Sequence, residues 1–370
     1  MKFSHASAEF LSLVERRRSL LDLGATAFAS VIVLWAAYDQ GLVPSELAGV
    51  DGRSFGLVTS IVLILVGAIT ALREARMHHG MVMHGQILAH FKLPWSRRSL
   101  TVWGRKITFQ AWGVSRVLYF LALQFVFLGS YMLLKLSHAS PAQLLMWLLA
   151  IATLAVLVFH KSGTDGGKRA KLELSDIEDE DEARPGEVEG HLLASQRDTS
   201  LDMIAVTKLV GLIYFSVLGL IAVFGNTGGK LRILFPNTQG ADLISPLLWI
   251  MVLTCILGQT AYVRLQVAGA ELSELLNRDD QAFKYLSLTD TTLGFSFLSL
   301  LLGGAIYMLL TIRGDHTSPI AIWPVAISVV VLSLIIQQAI LWVHAECRDE
   351  SGVATNPDNP VVKSPEPSKR

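Results

Sequence analysis

Tyr131-Met132-Leu133-Leu134 is followed by His138-Ala139-Ser140-Pro141, and Tyr307-Met308-Leu309-Leu310 is followed by His316-Thr317-Ser318-Pro319. Each phrase lies between two long apolar runs near the end of its half of the chain. Such a repetition predicts a duplicated membrane unit, and duplication points to the seam between the copies as the place for a functional site. Further matches fall in order along the two halves. Gly49, Asp51, Gly67 and Arg73 match Gly240, Asp242, Gly258 and Arg264 at one offset, and Leu21, Asp22 and Ala25 match Leu201, Asp202 and Ala205 at another. The offset drifts because loop lengths differ.

The 370 residues are 52% hydrophobic and 17% charged, against about 25% charged in soluble domains. Apolar runs of about 18 residues or more read as membrane spans, because roughly 20 helical residues cross the hydrocarbon. Eight such runs occur: 21–39, 54–72, 116–136, 142–160, 203–225, 243–263, 291–311 and 321–344. The expected fold is therefore all-α, a polytopic membrane protein with eight transmembrane helices arranged as two parallel four-helix repeats. In residue ranges, 1–160 is the first repeat, 161–200 an acidic disordered linker, 201–345 the second repeat and 346–370 a disordered cytoplasmic tail.

Charge sets the expected sidedness. With the N-terminus inside, 25 of the 31 Lys and Arg residues fall on the inner side, five fall outside, and Lys208 lies within a span, where it can snorkel to the headgroups. This predicts both termini in the cytoplasm and a multi-pass protein of the plasma (cytoplasmic or inner) membrane. The basic stretch Met1 to Arg18 resembles a signal-peptide start, but the following apolar run is too long for that, so it is read as a retained first span. Zero net charge gives no global field for nucleic acid, and none is expected as a partner. Cys255 and Cys347 lie in different elements and predict no disulfide framework.

Nine carboxylates and one arginine lie between Glu173 and Glu189. Such a run reads as solvated linker, with docking of a basic protein partner, there or at the tail, as the alternative. Residues 268–276 read as a short helix, with Leu272, Leu275 and Leu276 on one side and Glu271 and Glu274 on the other. Loop 73–115 interleaves Trp95, Trp103 and Trp112 with Arg97, Arg98, Arg105 and Lys106. It is read as an interfacial segment on the anionic headgroups of the bilayer.

His138 and His316 are the sharpest candidate ligands, since imidazole binds haem or metal and titrates near neutral pH. Ser140-Pro141 and Ser318-Pro319 have a simpler reading as helix starts, with serine as cap and proline in the first helical position. Ser245-Pro246 is read the same way. His78, His79, His84 and His90 are spaced one, five and six apart. That does not fit a helical metal pair, which needs three or four, so they read as a surface cluster, with a metal site as the alternative. Gln124, Gln259, Gln337 and Gln338 are the main polar groups in the spans. They either join helices through amide hydrogen bonds or line a polar path. Gly303-Gly304 permits close packing or a broken helix.

No phosphate-cradling loop, nucleophile elbow or cysteine metal pattern is present in the sequence, so no catalytic residue and no cofactor is assigned. The leading expectation is a transporter or channel-like protein with a pathway or binding site between two pseudo-symmetric halves. The alternatives are a non-catalytic membrane scaffold or regulatory subunit of a larger complex, and a haem or metal redox protein.

Overall fold

The computed structural model describes residues 3–39, 50–90, 98–102, 105–109, 113–137, 140–175, 185–225, 240–276, 288–313 and 319–352. Eight helices account for nearly all of these: α1 Phe3–Asp39, α2 Gly52–His90, α3 Gly113–Leu136, α4 Pro141–Ser175, α5 Pro185–Gly225, α6 Gly240–Leu275, α7 Leu288–Arg313 and α8 Pro319–Gly352. Seven are long and apolar enough to cross a membrane; the eighth, α3, carries its described apolar stretch at Ala122–Leu134. Hydroxyls inside these apolar helices turn back on their own chain. Ser30 donates to the Thr26 carbonyl at 2.8 Å, Ser60 to Gly56 at 2.6 Å and Ser299 to Phe295 at 2.9 Å. Each satisfies its donor without water.

A two-stranded antiparallel ribbon departs from the all-α expectation. β1 (Arg98–Val102) pairs with β2 (Arg105–Phe109), placing Leu100 opposite Ile107 and Val102 opposite Arg105. The sequence here alternates apolar and polar residues with period two, the strand signature. Arg98, Arg105 and Lys106 belong to this ribbon, while Trp95, Arg97, Trp103 and Trp112 lie outside the described residues.

The helices also run well past the apolar segments. α5 has 41 residues and α2 has 39. At 1.5 Å per residue these reach about 60 Å, roughly twice the hydrocarbon thickness. The surplus of α1, α2, α4, α5 and α6 gathers at the end where α1 begins. There Phe3, Phe10, Met81, Ile87, Leu88 and Leu192 form a second apolar core, flanked by Leu272 and Leu276. The helix expected at 268–276 is thus the last turns of α6.

The linker expectation for 161–200 is corrected by this arrangement. Residues 161–175 continue α4 and 185–200 open α5; only 176–184 lie outside the described residues. Glycines in 161–175 serve close approach: a Cβ on Gly166 would come within 2.5 Å of the His79 carbonyl oxygen. Pro185 fits the first helical position, and Glu187 sits in the first turn, where a carboxylate meets the positive end of the helix dipole. The expected tail at 346–370 is likewise helical to Gly352, with 353–370 outside the described residues.

The main apolar core draws on six helices and is centred on Phe28, Ile32, Leu63, Ile213, Leu248 and Met251. Phe28 stacks on Phe125 with ring centroids 4.4 Å apart. α4 and α8 contribute no fully buried residue to this core, though Val329, Leu334 and Ile340 of α8 pack against it; only 6% of the apolar window of α4 and 11% of that of α8 is buried. α4 packs chiefly on α2, and α8 on α7. Gly303 approaches the Ala326 carbonyl of α8 while Gly304 faces the Tyr214 hydroxyl of α5, and α7 continues unbroken through both. Close packing is therefore the use of this glycine pair.

Candidate site at the seam between the helical sets

α1–α4 and α5–α8 meet along two helix pairs, α1 with α5 and α3 with α6. Sequence places Arg16-Arg17-Arg18 just before the first apolar run, and helical geometry turns successive residues by about 100°. The three arginines therefore point in different directions. Arg17 turns inward and pairs with the Asp202 carboxylate of α5; their side chains are only 3% and 7% exposed. Arg18 reaches the other Asp202 oxygen through Nε at 3.0 Å and the Asp198 carboxylate at 3.0 Å. Two guanidinium groups thus face two carboxylates, which balances the charge at a site largely shielded from water.

About three turns nearer the N-terminus from the Arg17–Asp202 pair, the seam holds a histidine. The His191 ring of α5 is buried, with the Ser7 hydroxyl at Nδ1 (2.5 Å) and the Ser195 hydroxyl at Nε2 (3.4 Å). A neutral imidazole needs one donor and one acceptor, and hydroxyls can serve as either. Phe3 and Phe10 meet it in edge-to-face arrangements, with ring centroids 6.0 and 6.3 Å away. Burial pushes the His191 pKa from 6.5 down to about 4.

Deeper in the apolar region, the seam is closed by the Thr254 hydroxyl, which donates to the Gln124 side-chain oxygen at 2.8 Å across α6 and α3. Both residues are buried. Of the other expected amides, Gln259 donates to Ser299 on α7 at 3.1 Å, and Gln337 donates to Gln266 on α6 at 2.8 Å. Gln338 borders an open apolar groove on the outer side of α8. The structure therefore places three of the four glutamines at separate helix contacts, and Gln338 at the groove, instead of along one path. Gln266 lies just past the apolar run 243–263 and so escapes a search for polar groups within the spans, while a threonine such as Thr254 carries no signal until its partner is known.

His138 and His316 lie outside the described residues. Around the first phrase, Ser140 caps α4 as expected. The Gln143 amide donates to its hydroxyl at 3.3 Å, and the Gln143 side chain accepts from the Ser140 amide at 2.9 Å. This is a reciprocal capping box. α8 also starts at its proline, Pro319. Ser245-Pro246 departs from that pattern, because α6 already begins at Gly240.

The expected surface cluster of histidines is corrected. His78 is buried and stacks on Phe159 at 4.2 Å, and His84 is buried beside the second apolar core, where burial lowers its pKa. His79 places Nδ1 3.2 Å from the Ser162 carbonyl. Among the described residues no group of three or more His, Cys, Asp or Glu could hold a metal ion.

The matched positions of the two halves do not share partners. Gly67 lies against Val126 of α3, whereas Gly258 lies against Val210 of α5. Asp202 is buried in the ion cluster, whereas Asp22 is exposed. No protein family, curated protein or solved structure matches the chain.

Proposed function

We propose that the chain is a non-catalytic membrane scaffold or regulatory subunit, embedded by its apolar helices and presenting the extramembrane helical bundle to a protein partner. One observation carries this reading: the seam, where a duplicated transporter would place its path, is filled by large apolar side chains and crossed by polar bonds. Phe28, Ile213, Leu248 and Met251 are fully buried along it. The duplication belongs to this reading too, supported by the two phrases, each leading into a helix that starts at its proline. So does the placement of both termini in the cytoplasm, supported by the bias of Lys and Arg. Gentle purification from native membrane followed by mass spectrometry tests the proposal: a stoichiometric co-purifying protein is expected, and recovery of the chain alone overturns it.

A transporter or channel-like protein is the second reading. It is favoured by the buried Gln266–Gln337 pair, in which Gln266 Nε2 and Gln337 Oε1 have no hydrogen-bond partner among the described residues. Polar atoms left so in an apolar surround are costly, and a passing solute could complete them. Flux of a solute into liposomes, abolished by Gln337→Leu, is the outcome this reading requires.

A further inference from the structure

Arg17 and Arg18 are engaged by Asp202 and Asp198, but their neighbour Arg16 faces the other way, into a groove of about 560 Å³ between α1 and α2. Arg73 and Arg76 of α2 line the same groove. Both are exposed, and spacing of three places them on one face of the helix. Among the described residues none of the three arginines forms an ion pair. Glu15 is the single carboxylate in the lining, so the groove is cationic overall.

The depth of the groove follows from helix register. Gly24 packs against Thr70 and Gly80 against Leu13, which places Arg16 near the level of Met77 and Leu20 near that of Arg73. Leu23 lies deeper, about 10 Å below Arg16 at 1.5 Å per residue. It is 62% exposed, and Leu72 and Ile69 beside it on α2 are 60% and 52% exposed. The site therefore has arginines at its mouth, a Ser19 hydroxyl beside them and an apolar wall running inward, all at the boundary where the apolar runs of α1 and α2 end.

We propose that this groove is a binding site for an anionic phospholipid, with the phosphate held by Arg16, Arg73 and Arg76 and an acyl chain laid along Leu23, Ile69 and Leu72. Guanidinium groups bind phosphate through directed pairs of N–H donors, and basic pockets between membrane helices at the headgroup level take anionic lipids. A free phosphate would use the arginines but gain nothing from the apolar wall, which favours the lipid as occupant. This goes beyond the scaffold proposal and holds or fails independently of it.

The test is native mass spectrometry of the full chain released from nanodiscs of phosphatidylcholine with a minor fraction of phosphatidylglycerol. Selective retention of phosphatidylglycerol is expected. The triple variant R16Q/R73Q/R76Q should weaken it by roughly a hundredfold, about fivefold for each arginine lost. Glu15→Gln, which removes the one carboxylate among the described lining residues, should tighten it by about fivefold on the same basis. Equal retention of the two lipids, or wild-type retention by the triple variant, overturns the proposal. So does displacement of the lipid by inorganic phosphate or soluble glycerol phosphate at matched concentration, which would mark a free-anion site. If the triple variant aggregates, Glu15→Gln decides alone: unchanged retention counts against the site.

Discussion

Arg17 on α1 and Asp202 on α5 form a buried ion pair that joins the two helical sets where the apolar runs begin. Removing one partner leaves a charge uncompensated in a dry site, which costs about 3–5 kcal/mol. Asp202→Ala should be the most damaging change, because it strands Arg17 and also removes a contact of Arg18. Arg18→Ala should cost less, since its side chain is 19% exposed and Asp198 can turn to water. The double replacement Arg17→Met, Asp202→Leu should lose less than the sum of the single variants. Thermal unfolding in detergent checks the order.

Acid should loosen the same seam. The folded His191 pKa is about 4 against 6.5 when unfolded. A depressed histidine contributes its stability fully above 6.5, and that contribution falls as pH drops from 6.5 toward 4, because the unfolded chain takes up the proton first. The loss approaches about 3 kcal/mol at most. His84 acts in the same direction, so the informative comparison is wild type against His191→Asn. The variant should show a shallower decline in melting temperature between pH 7 and 5.

Glycine-to-alanine scanning should divide by packing. A Cβ on Gly129 would meet the Ser60 carbonyl oxygen at 2.6 Å and the Ile64 amide nitrogen at 3.0 Å. Backbone atoms cannot rotate aside, so Gly129→Ala should force α2 and α3 apart and cost about 1–3 kcal/mol. Gly219 on α5 has nothing within 4 Å. There alanine should stabilise by up to about 1 kcal/mol through reduced backbone entropy. Denaturation midpoints of the two variants should move in opposite directions.

The capping box of α4 should be separable from its histidine. Ser140→Ala removes the acceptor for the Gln143 amide and should cost about 1 kcal/mol. Faster proteolysis near residue 140 is the readout. A His138→Ala, His316→Ala double variant with wild-type stability and an unchanged absorption spectrum would confine the repeated phrase to helix initiation.

Gln266 and Gln337 should behave as a pair. Gln337→Leu leaves the Gln266 amide buried without its partner and should cost about 1–3 kcal/mol, whereas replacing both by leucine should be nearly neutral. Unfolding of the two single variants and the double variant supplies the cycle.

The apolar runs made the helices legible, since length and hydropathy suffice to identify a segment that crosses a bilayer. Their ends were not. Arg73 to His90 and Lys161 to Ser175 carry charge and glycine, which look like loops locally. They are helical because Phe3, Phe10 and Leu192 supply a second core that no single segment announces. The strands at 98–102 and 105–109 show a period-two alternation over only five residues each, and the interleaved arginines and tryptophans fit an interfacial segment equally well. At the seam, Asp202 stood out in sequence only as a match to Asp22. Its partner depends on the contact of α1 with α5, a tertiary relationship that spacing does not encode.

The unbroken passage of α1, α2 and α5 from the main apolar core into the second one has a mechanical consequence. With no loop between the two cores to absorb strain, tilting one half of such a helix must swing its other half. Each helix then carries displacement as a single rod past the level of the Arg17–Asp202 pair, so the packing of the two cores is tied together.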